Sequence, residues 1–149
     1  ALNYALATTD QREKRVVINS LAANGNARMV ADIMKRVQGN GFSGNDAYGV
    51  MFNAMTNDTE RETAWSIFKA SFDNVATSLP EIRKQQMPKV TGAFCSLEDA
   101  ADAEAFFKSK ADIIPGYERS LAQGLEQAKL CAALRAAKSE ELATALGAL

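Results

Sequence analysis

The side chains best suited to acid–base chemistry in this sequence are four carboxylate pairs: Glu60 with Glu62, Glu98 with Asp99, Asp102 with Glu104, and Glu140 with Glu141. Two carboxyls divide acid and base roles only when their surroundings push their pKa values apart. All four pairs fall in first turns of predicted helices or on polar faces, where dipole compensation and solubility account for them. Histidine is absent from the 149 residues, which removes the commonest general base and the commonest zinc ligand. Cys95 and Cys131 are too far apart in sequence for a CxxC site, and their apolar company predicts two buried free thiols rather than a disulfide. Gly39-Asn40-Gly41 and Ser43-Gly44-Asn45 are glycine-rich, but no strand precedes them and no lysine follows at P-loop spacing, so they read as loop punctuation. Trp65, Phe68 and Phe72 have faces on which a ligand can stack, yet an aromatic stripe at helical spacing is the usual mark of a core. On these grounds no residue is assigned a catalytic, cofactor-binding or metal-ligating role.

The stripe belongs to the longest helical pattern, Asn57 to Leu79. Trp65, Phe68, Phe72, Val75 and Leu79 recur at steps of 3, 4, 3 and 4, which aligns them on one face, with Glu60, Glu62, Lys69 and Asp73 on a solvated flank. Asn57, Asp58 and Thr59 offer N-cap oxygens, and Pro80 ends the helix. Upstream, Leu2 to Leu6 reads as the tail of a helix. Thr8-Thr9-Asp10 is a cap signal for a helix to about Ala23, which buries Val17, Ile18, Leu21 and Ala22 and stops at Asn24-Gly25. The next, capped by Asn26 and reaching Gln38, buries Val30, Ile33, Met34 and Val37. Ser43 or Asn45 opens another, with Ala47, Val50, Met51 and Ala54 inward. Downstream of Pro80, Pro88 kinks or restarts a fifth helix, and Ser96 with Asp99 resembles a capping box for a sixth. A seventh runs from about Tyr117 to Ala137, with Leu121, Leu125, Ala128 and Ala132 as its seam and Leu130 and Leu134 beside it. Ser139 caps a short eighth through Leu142, Ala145 and Leu146.

Composition agrees with helix throughout. Valine, isoleucine and tyrosine are sparse and there are only three prolines. Seventeen basic residues nearly cancel 18 acidic ones, so bulk charge points neither to nucleic acid nor to an anionic membrane, and no apolar run approaches the roughly 20 residues of a membrane span. Val17, Asn24, Arg28 and Ala31 recur 33 positions later as Val50, Asn57, Arg61 and Ala64. Arg28 and Arg61 each follow an inter-helix turn, where a guanidinium can bond the orphan carbonyls of the preceding helix. The expected fold is all-α, a HEAT- or armadillo-like superhelical array of about eight antiparallel helices forming one domain over residues 1–149.

Three motifs carry a family resemblance. The segment Ile114-Pro115-Gly116-Tyr117-Glu118-Arg119-Ser120-Leu121-Ala122-Gln123-Gly124-Leu125-Glu126-Gln127 resembles the penultimate helix of the C-terminal helical domain of M1-family zinc aminopeptidases, the aminopeptidase N type. Asn57 to Phe72, with Arg61, Ala64-Trp65, Lys69-Ala70 and Phe72-Asp73, is similar to that family's R-x-x-A-W … K-x-N-[WF]-D helix, with Ser71 where the pattern favours asparagine. Cys95-Ser96 followed by Ala105-Phe106-Phe107 matches its short turn and helix ending in two phenylalanines. The likeness is clearest from Asn57 to Arg135.

That resemblance implies a C-terminal fragment of a longer multidomain peptidase, in which an N-terminal β domain and a thermolysin-like domain carry the zinc and the HExxH-type motif. The helical domain closes over the catalytic domain, its partner, and faces peptide substrates on a concave side. No family catalytic or metal residue maps onto this chain, so the fragment is expected to be inactive alone, with zinc only in the missing domain. An initial alanine in place of methionine fits a fragment, and any targeting segment is expected before Ala1. Interdomain surface left bare implies self-association of the isolated piece. The alternative is a free-standing α-solenoid scaffold that binds a protein partner; a carboxylate-based hydrolase is a distant third.

Overall fold

A computed structural model of the chain describes residues 2–24, 27–37 and 43–147, and every regular element among them is helical. The elements are α1 (Leu2–Ala7), α2 (Gln11–Asn24), α3 (Ala27–Val37), α4 (Gly44–Met55), α5 (Arg61–Thr77), α6 (Glu81–Gln86), a 3₁₀ helix (Met87–Ala93), α7 (Leu97–Ser109) and α8 (Glu118–Gly147). They form two compact units, Ala1–Pro80 and Glu81–Leu149. The Asn26 cap, Gln38 and the Gly39-Asn40-Gly41 loop lie outside the described residues.

In the first unit α1 packs on α2, and each of α2 and α3 packs on the helix that follows and on the next but one; α4 and α5 close the series. The apolar stripes read from the sequence meet inside it. Ile18, Ile33, Met34, Val50, Met51, Met55, Phe68 and Phe72 are essentially sealed from solvent. Within the Thr8-Thr9-Asp10 signal it is Asp10 that caps α2, its carboxylate accepting the N–H groups of Arg12 (2.8 Å) and Glu13 (3.1 Å). Ser43 rather than Asn45 opens α4. Its hydroxyl accepts the Asp46 N–H at 3.2 Å while the Asp46 carboxylate accepts the Ser43 N–H at 3.1 Å, a reciprocal capping box. Gly44 is required by close approach, since a Cβ there would run into the Ser78 hydroxyl at the end of α5.

The second unit is built on α8. Pro88 falls in the first turn of the 3₁₀ helix, so the proline restarts the chain as the sequence predicts. That helix lies against α8 so closely that a Cβ on Gly124 would stand 2.8 Å from the Pro88 carbonyl oxygen. Ser96 caps α7 through the Asp99 N–H at 3.2 Å. Gly116 takes the chain into α8 with φ +79°, a left-handed conformation that favours glycine.

Three expectations are corrected in this unit, one of them only in part. The predicted seventh and eighth helices are one, 30 residues long. Ser139 caps nothing because alanine, lysine and glutamate around it propagate helix, and serine's capping preference acts only where the backbone leaves the helix. The Thr144 hydroxyl donates to the Glu140 carbonyl (2.9 Å) and Lys138 pairs with Glu141, both within the continuous helix. The inward seam is met in part: Leu121 and Ala128 are buried as expected and Leu125 and Ala132 are half-buried, but the leucines beside it are not covered. Ser120, Leu121, Gly124 and Ala128 are buried, whereas Leu130 and Leu134 are 64% and 63% exposed. At Gly124 the 3₁₀ helix approaches too closely for any side chain, while Leu121 one turn earlier is buried. Third, Cys95 and Cys131 are not free thiols but a disulfide, their Cα atoms 5.0 Å apart. A separation of 36 residues says nothing about distance once α7 and α8 double back on each other.

Candidate functional surfaces

The carboxylate pairs do not assemble into an acid–base centre. Glu60 is buried at the N-cap position of α5 while Glu62 is exposed, so the two part company across the first turn. The expectation of a solvated Glu60 fails: α5 begins at Arg61, and Glu60, at the N-cap position where Asn57, Asp58 or Thr59 was expected, is buried. Glu98, Asp99 and Asp102 lie exposed along α7, and Glu104 forms an i,i+4 pair with Lys108 at 2.7 Å. Glu140 and Glu141 are exposed on α8. Glu118 and Arg119 are exposed at its start.

The polar groups that the fold does bring together serve helix ends. Arg61 Nε donates to the Met55 carbonyl oxygen at 2.9 Å, closing the C-terminus of α4, and its other arm pairs with Asp58. This is the carbonyl-capping role read from the turn offset. Arg28, its counterpart in the repeat, stands exposed on α3. Asn57 caps no helix of its own. Its amide nitrogen reaches back to the Ala23 carbonyl at 3.1 Å and its oxygen accepts the Thr59 N–H at 3.1 Å, an Asx turn. One short turn between α4 and α5 thus satisfies the ends of two different helices.

The cross-helix pair of Arg15 and Asp46 was not read from the sequence. Arg15 Nε donates to Asp46 Oδ1 at 3.0 Å from 31 residues away, and the aspartate is buried. Burial pushes the Asp46 pKa up, but the Ser43 hydroxyl, the Arg15 guanidinium and the Ser43 N–H together outweigh that and hold it below the usual value. The only available signal was an aspartate three residues after Ser43, which marks the cap but not the arginine. Trp65, Phe68 and Phe72 are core: Trp65 stacks on Phe68 with centroids 5.4 Å apart, and Phe68 meets Phe72 edge-on at 5.6 Å.

No group of three or more His, Cys, Asp or Glu side chains among the described residues is placed to hold a metal ion. With no histidine in the sequence and both cysteines in one disulfide, these residues do not fit a zinc centre. The shallow depression on α8 is lined by Ala122, Leu125, Glu126, Lys129, Leu130 and Ala133, with no nucleophile or facing acid–base pair.

What the described residues define is two all-α units whose polar side chains close helix ends and, in the first, pair across helices. Comparison with family models places them further. Residues 1–130 match the ERAP1-like C-terminal domain, and the chain belongs to that family, the helical C-terminal domain of M1-type aminopeptidases. The match runs through both compact units. Comparisons with curated proteins and with solved structures gave no match.

Proposed function

We propose that this chain is the non-catalytic C-terminal domain of an M1 zinc aminopeptidase, where it packs on the catalytic domain and encloses the peptide-binding cavity. The family match over residues 1–130 carries the reading. A sequence without histidine contains no HExxH motif, so the zinc belongs to a separate catalytic domain of the parent enzyme. The helix order of the first unit, each helix on the next and the next but one, supports a HEAT-like layering with a concave peptide-facing side.

Two assays test this. The purified chain, with zinc added, is expected to give no turnover of aminoacyl chromogenic substrates. Added to an M1 catalytic fragment that lacks its own helical domain, it is expected to bind and to shift the preferred peptide length. Turnover that disappears when residues of this chain are mutated would sink the proposal. Failure to bind any such fragment, together with capture of an unrelated folded protein, would favour a free-standing scaffold instead.

A further inference from the structure

Helices α7 and α8 form a hairpin whose closed end and open mouth are held by different means. At the closed end Phe107, Ile114, Tyr117 and Leu121 are buried. Toward the mouth α7 buries only Ala100 and Ala103, while Leu97, Glu98, Asp99, Ala101 and Asp102 are exposed. On α8, Ala128 is the last fully buried residue, Ala132 is half-buried, and every residue from 133 to 147 is exposed. The Cys95–Cys131 bond sits at this mouth. Two alanine methyls are little apolar area to hold two helices together. The 3₁₀ helix and Phe94 hold α8 as far as Ala128, but between the first turns of α7 and the part of α8 beyond it the covalent bond is the main tie. Both cysteines are half-buried, within reach of a small thiol reagent.

We propose that the Cys95–Cys131 disulfide is a redox latch on the mouth of the α7–α8 hairpin. A dithiol opens it: one thiolate attacks a protein sulfur, the S–S bond breaks, and the released cysteine thiolate takes up a proton. The second thiol of the reagent then resolves the mixed disulfide. The protein gains two electrons and two protons, and the dithiol leaves as its own disulfide. With the latch open, the first turns of α7 and the part of α8 beyond Ala128 separate and fray. Phe94 on one side and Phe107 on the other keep the rest of the unit packed. This inference stands independently of the peptidase reading.

Hydrogen exchange read by mass spectrometry tests it on the full chain, oxidised and after dithiothreitol, with a Cys95→Ala/Cys131→Ala variant as a second route to the open state. Thiol titration before reduction is expected to find no free cysteine. Amide protection over 97–103 and 129–136 is expected to fall at least tenfold on reduction, with 105–121 unchanged and full recovery on reoxidation. Identical profiles in the two states would overturn the latch. So would a uniform loss across the second unit, which would make the bond a global staple, or two free thiols per chain at the outset.

Discussion

Asp46 is the residue where local and tertiary forces meet. It completes the cap of α4 and receives Arg15 from α2. Its pKa is lower folded than unfolded, so the stability it contributes is fully present above the unfolded value near 3.9 and is lost as pH falls through the folded value. Urea midpoints should therefore decline below about pH 4 in the natural chain, and Asp46→Asn should flatten that decline. At neutral pH Asp46→Ala is expected to cost about 1 kcal/mol, since it removes half of a capping box and an ion pair whose other partners, Ser43 and Arg15, are exposed and can turn to water. Trp65 makes a simpler case. Buried and stacked on Phe68, it is expected to cost about 3–5 kcal/mol when replaced by alanine, measured by denaturant unfolding. A loss under about 1 kcal/mol would contradict the packing described for this side chain.

Helix α8 and the 3₁₀ helix are the elements whose fit is tightest, and two glycines set it. Alanine at Gly124 gains about 1 kcal/mol of helix propensity but drives a methyl into the Pro88 carbonyl and to 3.0 Å from Thr91 Cβ. Both neighbours are held by buried residues, so overpacking of roughly 1–3 kcal/mol should outweigh the gain. At Gly92 the severe clash is with the amide end of Gln127, which can swing into solvent, leaving only the tight 3.2 Å approach of its Cβ. Thermal unfolding is accordingly expected to rank Gly124→Ala well below Gly92→Ala in stability; equal melting temperatures would contradict the described approach of the two helices. The same close approach puts Gly124, which the expected α8 seam did not include, at its centre. Leu121 and Ala128 of the expected seam are buried with Ser120 and Gly124, whereas Leu130 and Leu134, beside the seam, are turned outward.

For the molecule as a whole, the outward leucines have a consequence. Leu130, Leu134, Leu142 and Leu146 on α8, with Ile82 and Leu97 elsewhere in the second unit, expose more apolar side chain than an isolated domain comfortably carries. The proposed role as one domain of a larger enzyme predicts self-association of the separate chain. Sedimentation at rising concentration should show the mean mass increase, and Leu134→Lys with Leu142→Lys should suppress it. A constant monomer mass at high concentration would count against this surface being interdomain.

Helix type, order and much of the first unit's core were legible in the sequence, because 3.6-residue periodicity and cap residues are local properties. The five-residue Trp65 stripe, the Ser43 and Ser96 caps and the Pro88 restart all rest on interactions within a few residues. The family was legible too, since its motifs are strings of residues in order. The tertiary structure alone decided what depends on distant segments meeting: the Arg15–Asp46 pair, the reach of Asn57 to Ala23, the small-residue face of α8 and the union of Cys95 with Cys131. Local sequence sets the conformation a segment prefers. Which face it buries, and which cysteine it finds, is set by the neighbour that arrives.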